Sequence, residues 1–346
     1  MENVAFDRTL SAWLAAEFAH DREVALVQSI VRANAITAQA ANARLRKLVS
    51  QRVLESHLQG RKKRYSLLPL RYESTSFERA RLEEDRVWSG FIAPLLQGFA
   101  EPPAVRILEY GATEMLNNAK DHSEGTRVDV SVRVDMAYTT IIVNDNGEGI
   151  FARLKRLCAL QDERESLLEL AKGKLTTDPD RHSGEGVFFS SRALDVFAIF
   201  AGGLSFSHVR GRDDHLVDSL APAHGTQVLM RHAHTSQTEL KKVFDEYAAP
   251  DEYTFSKTVV PLRLAVFGND NLMSRSQAKR VLSRVEKFRT VMLDFSGVEF
   301  VGQAFADEVF RVFALRHPDM ELIPIHTNSE IGQMISRATA GRKMQG

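Results

Sequence analysis

The sequence predicts a multidomain chain. A small, mostly helical unit is followed by a larger α/β unit built around a ligand site, and then by a compact α/β unit. Three observations predict this. At 346 residues the chain exceeds one average domain. Positive charge gathers at one end: residues 1–71 hold nine Arg and three Lys against six Asp and Glu, although the whole chain is neutral. The hydrophobic period also changes along the chain, from helical spacing, to strands mixed with helices, to regular strand–helix alternation after about 255.

Some classes are set aside at once. No apolar run reaches the roughly 18 residues needed to cross a bilayer. The start, MENVAFDRTLSAW, lacks the basic-then-apolar layout of a secretory leader. The single cysteine, Cys158, excludes an intrachain disulfide framework and a Cys-based zinc site. A cytoplasmic protein with no membrane partner is expected.

In residues 7–19, Leu10, Trp13, Leu14 and Phe18 recur at helical intervals. Asp21 is placed to cap a second helix carrying Val24, Leu26, Val27 and Ile30. Thr37 is placed to cap a third, with Ala41, Leu45, Leu48 and Val49 inward. Val53-Leu54, the basic turn Gly60-Arg61-Lys62-Lys63-Arg64 and a short strand from Tyr65 follow. Three helices and a basic hairpin are the layout of a winged helix-turn-helix. The third helix would enter the major groove with Thr37 at its start and Gln39, Asn42 and Arg46 outward. Gln39 and Asn42 suit base edges, and Arg46 suits guanine or phosphate. Arg61, Lys62, Lys63 and Arg64 would follow the phosphate backbone. The stretch 36–67 resembles bacterial winged-helix regulators, with small Ala38 and Ala43 where long polar side chains are usual. His20-Asp21 lacks the Arg-Thr-Pro of a histidine-kinase phosphoacceptor box and reads as an interhelix pair.

Residues 73–98 read as one amphipathic helix, with Phe77, Leu82, Trp88, Ile92 and Leu96 inward, ended by Gly98 and Pro102-Pro103. A second helix, 104–122, carries Glu114, Asn118 and His122 at i, i+4 and i+8, along one face. Strands at 126–135 and 139–143 turn at Met136-Ala137. They lead into Asp145-Asn146-Gly147-Glu148-Gly149. Two polar-faced helical segments are expected over 150–173, then a flexible piece to Ser183. Gly184-Glu185-Gly186 opens a helix over 187–197, and strands are expected near 199–209, 214–219 and 225–231.

The chemistry of these residues suits a nucleotide and its metal. Asn118 offers an amide oxygen, a hard ligand for Mg²⁺. Glu114 can accept a proton from an attacking water or hydroxyl. Lys120 and His122 can approach phosphate oxygens. Asp145, ending an apolar strand, can accept from an exocyclic amine such as that of adenine. Gly147 and Gly149 let the backbone close against a base. Gly184 and Gly186, just before a helix, can turn N–H groups toward phosphate. Thr226, after Gly225, can support the carboxylate or a water beside it.

In this order the motifs resemble the GHKL ATPase superfamily, which takes in gyrase, histidine kinases and MutL. Glu114…Asn118 matches its N box, Asp145-Asn-Gly147-Glu-Gly149 its G1 box, Gly184-Glu-Gly186 its G2 box and Gly225-Thr226 its GT pair. The resemblance covers about 75–232. It implies the GHKL α/β sandwich (Bergerat fold), with ATP and Mg²⁺ under a mobile lid at about 151–183. It also implies that Glu114 is the general base and Asn118 the metal ligand. The chain departs in its charged, helical lid and in Phe188-Phe189, where a Leu-rich run is usual.

After a connector with a short helix, 239–247, strands at 261–267, 290–295 and 321–325 alternate with helices at 274–288, 303–315 and 329–338. Val291–Phe300, an apolar strand and polar turn leading to a helix, resembles the STAS fold of anti-sigma-factor antagonists over about 255–340. The serine phosphorylated in those proteins falls in Gly302-Gln303-Ala304-Phe305, at Ala304, so that switch is not expected. VGQAFADEVFR is similar to a STAS-like domain of unknown function found behind GHKL modules. Asp307 and Glu308 read as helix caps.

The expected domains are 1–72 (winged helix), 73–235 (GHKL), 236–254 (connector) and 255–346 (STAS-like). The function expected is ATP-dependent regulation of transcription, with DNA, a protein partner at the STAS-like unit and a second copy as partners. A serine/threonine kinase acting on a separate protein and a non-hydrolysing nucleotide-dependent scaffold stand as alternatives.

Overall fold

The computed structural model describes residues 5–174, 184–212, 214–218, 224–248, 255–266 and 271–343. Three helices open it: α1 (Arg8–Glu17), α2 (Leu26–Asn34) and α3 (Ala38–Ser50). Leu14, Phe18, Leu26, Ile30, Ala41 and Leu45 meet in one buried core. Asp7 and Thr37 start α1 and α3 by accepting the Leu10 and Ala40 N–H groups at 3.0 and 3.2 Å. Asp21 does not cap α2. That helix starts after Ala25, because Val24 is drawn into a β-bridge with Tyr65. β1 (Leu54–Gln59) and β2 (Lys62–Leu67) form an antiparallel hairpin turning at Gly60, whose φ of 62° suits glycine.

β3 (Arg71–Glu78) corrects the expected helix from 73. Tyr72 to Phe77 is rich in Ser, Thr and aromatic side chains, and it pairs antiparallel with β4 (Arg127–Val134). The strand begins two residues before the boundary expected at 73. After a 3₁₀ turn at Arg79–Arg81, the α-helix starts at α4 (Glu84–Val87), which continues through a π turn, Trp88–Ile92, into α5 (Ala93–Leu96). The long α6 (Pro102–His122) precedes β4 and β5 (Tyr138–Asp145). Next come α7 (Ile150–Cys158), α8 (Glu165–Lys172) and α9 (Gly186–Ala193). α9 stops four residues earlier than expected, because Val196 already pairs in the sheet. The stretch expected as one strand at 199–209 belongs to a hairpin, β6 (Val196–Ala201) and β7 (Leu204–Val209), turned at Gly202-Gly203. β8 (His215–Asp218), β9 (Gln227–Ala233) and α10 (Leu240–Tyr247) complete this part. Residues 175–183, where a flexible piece is expected, lie outside the described residues.

The seven strands run β3-β4-β5-β9-β6-β7-β8, every neighbouring pair antiparallel. Register puts matching side chains on one face. Val130, Val143, Val228, Ile199 and Phe206 form one row across the sheet, and Val132, Ile141, Met230 and Phe197 the next. All nine are buried, and α6 packs over them. Alternate residues on the other face are largely half-exposed, as expected when helices cover one face of an antiparallel sheet.

The C-terminal unit has a parallel three-stranded sheet, β10 (Lys257–Pro261), β11 (Thr290–Asp294) and β12 (Glu321–Ile325), in that order. The first strand ends at Pro261, the residue at which the sequence places its start. Proline has no N–H for the ladder, and β10 lies at the sheet edge. α11 (Arg275–Val281) and the helix made of α12 (Gln303–Asp307), a π turn and α13 (Ala314–Arg316) cross between strands. α14 (Ser329–Lys343) closes the unit, longer than the helix expected to 338.

Candidate functional site

Asp145 is the last residue of β5 and lies on the helix-covered face, 6% exposed. Its Oδ1 accepts the Gly147 N–H at 2.9 Å and the Thr226 N–H at 3.2 Å. Burial raises its pKa above the ordinary carboxylate value, and the two backbone donors pull the other way.

The turns around it are locked by close backbone approach. A Cβ on Gly147 would overlap the Ser123 carbonyl oxygen, and one on Gly225 would overlap the Asp145 carbonyl oxygen. The Gly225 N–H donates to the Gly147 carbonyl at 2.8 Å, and the Glu148 N–H to the Ser123 carbonyl at 3.1 Å. The Thr226 hydroxyl accepts from the Ile150 N–H at 2.9 Å, tying the start of α7 to β9.

From above, α6 lowers Glu114, Asn118 and His122 toward the same place. The Glu114 carboxylate lies against the second glycine turn, since a Cβ on Gly186 would overlap its Oε2. Beneath it is one cavity of about 290 Å³. Glu114, Asn118, His122, Asp145, Gly149, Gly184, Gly186 and Thr226 line it, along with apolar Met115, Val143, Leu154, Ile199 and Val228. Eight of the expected site residues, from four separate stretches, therefore share one cavity.

Two expected residues do not line it. The Lys120 ammonium lies 3.9 Å from Glu84, because two positions past Asn118 a helix presents another face. Gly147 works beneath the floor, where its missing side chain admits the Ser123 carbonyl.

Arg153 and Leu170, which no motif marks, also line it. Arg153, one turn into α7, brings a guanidinium that pairs with Glu124. Leu170 of α8 supplies apolar wall. Arg153 is legible as Gly149 plus four on a helix; Leu170 has no such signal. Among the described residues no group of three or more His, Cys, Asp or Glu is arranged to hold a metal. Asn118 is a neutral amide oxygen donor within the cavity that suits a cation brought by an anionic ligand.

At the opposite end of β5, about 23 Å away at ~3.3 Å per residue, the three-helix unit is seated. Met136, Ala137 and Tyr138 enter its core. The Tyr138 hydroxyl donates to the Ala15 carbonyl, and Arg231 lies 3.6 Å over the Tyr138 ring while donating to the Phe18 carbonyl. Thr37, Gln39 and Arg46 are exposed on α3, as are Arg61, Lys62 and Lys63 on the hairpin. Asn42 is half-buried and its amide donates to the Ala38 carbonyl at 2.8 Å. Arg64 is half-buried and donates to Gln59.

Residues 277–331 match the family model of the STAS-like domain of unknown function (DUF4325). No curated protein matches the chain. No helix among the described residues is long and apolar enough to cross a membrane.

Proposed function

We propose that the chain is an ATP-binding regulator. In this reading a GHKL-type central unit holds nucleotide and Mg²⁺, a winged helix-turn-helix binds DNA, and the STAS-like unit receives a protein signal. The observation that carries the reading is the shared cavity, with a buried carboxylate at its floor and two glycine turns in its wall. Asp145 would accept from the adenine amine through its second oxygen, since Oδ1 already takes two backbone N–H groups. Asn118 would hold Mg²⁺, which neutralises charge on the phosphates when bound. The N–H groups at the start of α9, beside Gly184 and Gly186, suit phosphate oxygens. Glu114 would take the proton of a water whose oxygen bonds to the γ-phosphorus as the bond to the β,γ-bridging oxygen breaks. On the three-helix unit, Thr37, Gln39, Asn42 and Arg46 would face base edges and Arg61 to Arg64 the phosphates.

The fate of a γ-labelled phosphate tests the reaction. Release of free phosphate, abolished in Glu114→Ala, is the expected result. Transfer to an added protein would instead establish a kinase acting in trans, the second reading, which the STAS-like neighbour favours. Ala304 offers no hydroxyl for transfer within the chain. Retention of the label on bound ATP would make the protein a nucleotide-dependent scaffold. Mobility of DNA fragments from its own locus, with and without ATP, tests the DNA claim; no shift in either state sinks it.

A further inference from the structure

α8 has two working sides. Leu170 faces the cavity. Its charged residues face the STAS-like unit, and all eight residues of the helix are buried. The Lys172 ammonium, 1% exposed, donates to Glu169 at 2.7 Å and to the Ser283 carbonyl, just past α11, at 2.8 Å. Arg280 of α11 donates to Glu165 at 3.0 Å. The Thr258 hydroxyl of β10 donates to the last carbonyl of α8, that of Lys172, at 2.6 Å.

α9 repeats the arrangement with aromatic rings. Val187 lines the cavity, while Phe188 and Phe189 pack on Phe255 at 4.7 and 4.9 Å between centroids. Phe255 in turn meets Phe288 at 5.2 Å.

Packing alone does not account for the charges. Apolar side chains of similar volume commonly serve a buried joint as well as an ion pair or better, and the best-attested use of buried ions is to fix a register or a switch. Here the ions join one wall of the cavity to a different unit. We propose that the STAS-like unit sets the cavity's affinity for nucleotide through α8, and that nucleotide in the cavity is read in turn at α11. The proposal rests on the nucleotide reading of the cavity. Reciprocity is required of it, because a coupling between two binding events acts equally in both directions. A protein that docks on the STAS-like unit and shifts α11 would thereby load or empty the cavity.

The test uses the full chain and a fluorescent ATP analogue. Lys172→Met and Arg280→Met, each checked for folding by circular dichroism, are expected to weaken analogue binding about fivefold or more. In the wild type, ATP is expected to slow backbone hydrogen exchange at 275–287. Unchanged affinity in both variants overturns the proposal, and so does ATP-saturated wild type with unaltered exchange at 275–287. Should Arg280→Met fail to fold, Lys172→Met and the exchange experiment decide. Wild type that binds no analogue overturns the nucleotide reading and this proposal with it. That failure is distinct, since Asp145→Asn then has no binding to lose.

Discussion

Asp145, Gly147 and Gly225 form one knot, in which a strand end, the end of α6 and the start of β9 approach closer than any side chain allows. Gly147→Ala must push against the Ser123 backbone, which has no flexible end to yield. A loss of about 1–3 kcal/mol in stability is expected from urea denaturation. Gly186→Ala meets the Glu114 carboxylate instead, which can swing away. It should therefore spare folding and lower turnover, by about 100-fold if the carboxylate moves by an ångström. His234 governs pH at the other end of the sheet. It is buried between Phe6 and Phe99, and burial lowers its pKa from 6.5 to about 4. The unfolded chain takes the proton first as pH falls. Stability present above pH 6.5 is thus lost between 6.5 and about 4, at up to about 1.4 kcal/mol per pH unit. His234→Gln should flatten that slope in urea midpoints measured across pH.

At the scale of elements, legibility depends on whether the partner lies nearby in sequence. Glu114, Asn118 and His122 share a helix face by spacing alone. Asp145 closes an alternating strand, and Gly184 to Gly186 precede a helix start; each is a local fact. β3 hides in the sequence because Leu82 onward carries a strong helical pattern and Phe77 fits its extension, while the pairing that makes it a strand is with residues 127–134. α8 has the pattern of a polar-faced helix because Glu165, Glu169 and Lys172 are charged. Period cannot tell a face turned to water from one turned to the side chain of Arg280 and the carbonyl of Ser283, more than 100 residues on. Phe188-Phe189 packs on Phe255 and Tyr247, where the central and C-terminal parts share one core, and nothing near it in sequence shows this. Phe255→Ala should cost about 3–5 kcal/mol. It should also lower the cooperativity of urea unfolding followed separately by central and C-terminal probes.

For the whole molecule, the sheet separates the three-helix unit from the cavity. The three-helix unit grips the Met136–Tyr138 turn, and the cavity lies at the far end of the same strand. The STAS-like unit backs the cavity through α8 and α9. DNA affinity and nucleotide affinity should therefore be separable by mutation. Replacing Arg61, Lys62 and Lys63 with alanine is expected to weaken all DNA sequences alike, and to reduce the salt slope by about 0.9 for each phosphate no longer neutralised. ATP binding by the same variant should be unchanged.

Isothermal titration with ATP and Mg²⁺ measures directly whether the cavity under α6 binds ATP, as proposed. Saturable binding by the wild type, abolished in Asp145→Asn and kept in Glu114→Ala, is expected. Absence of binding in the wild type, or equal binding in Asp145→Asn, would rule out a nucleotide site at Asp145.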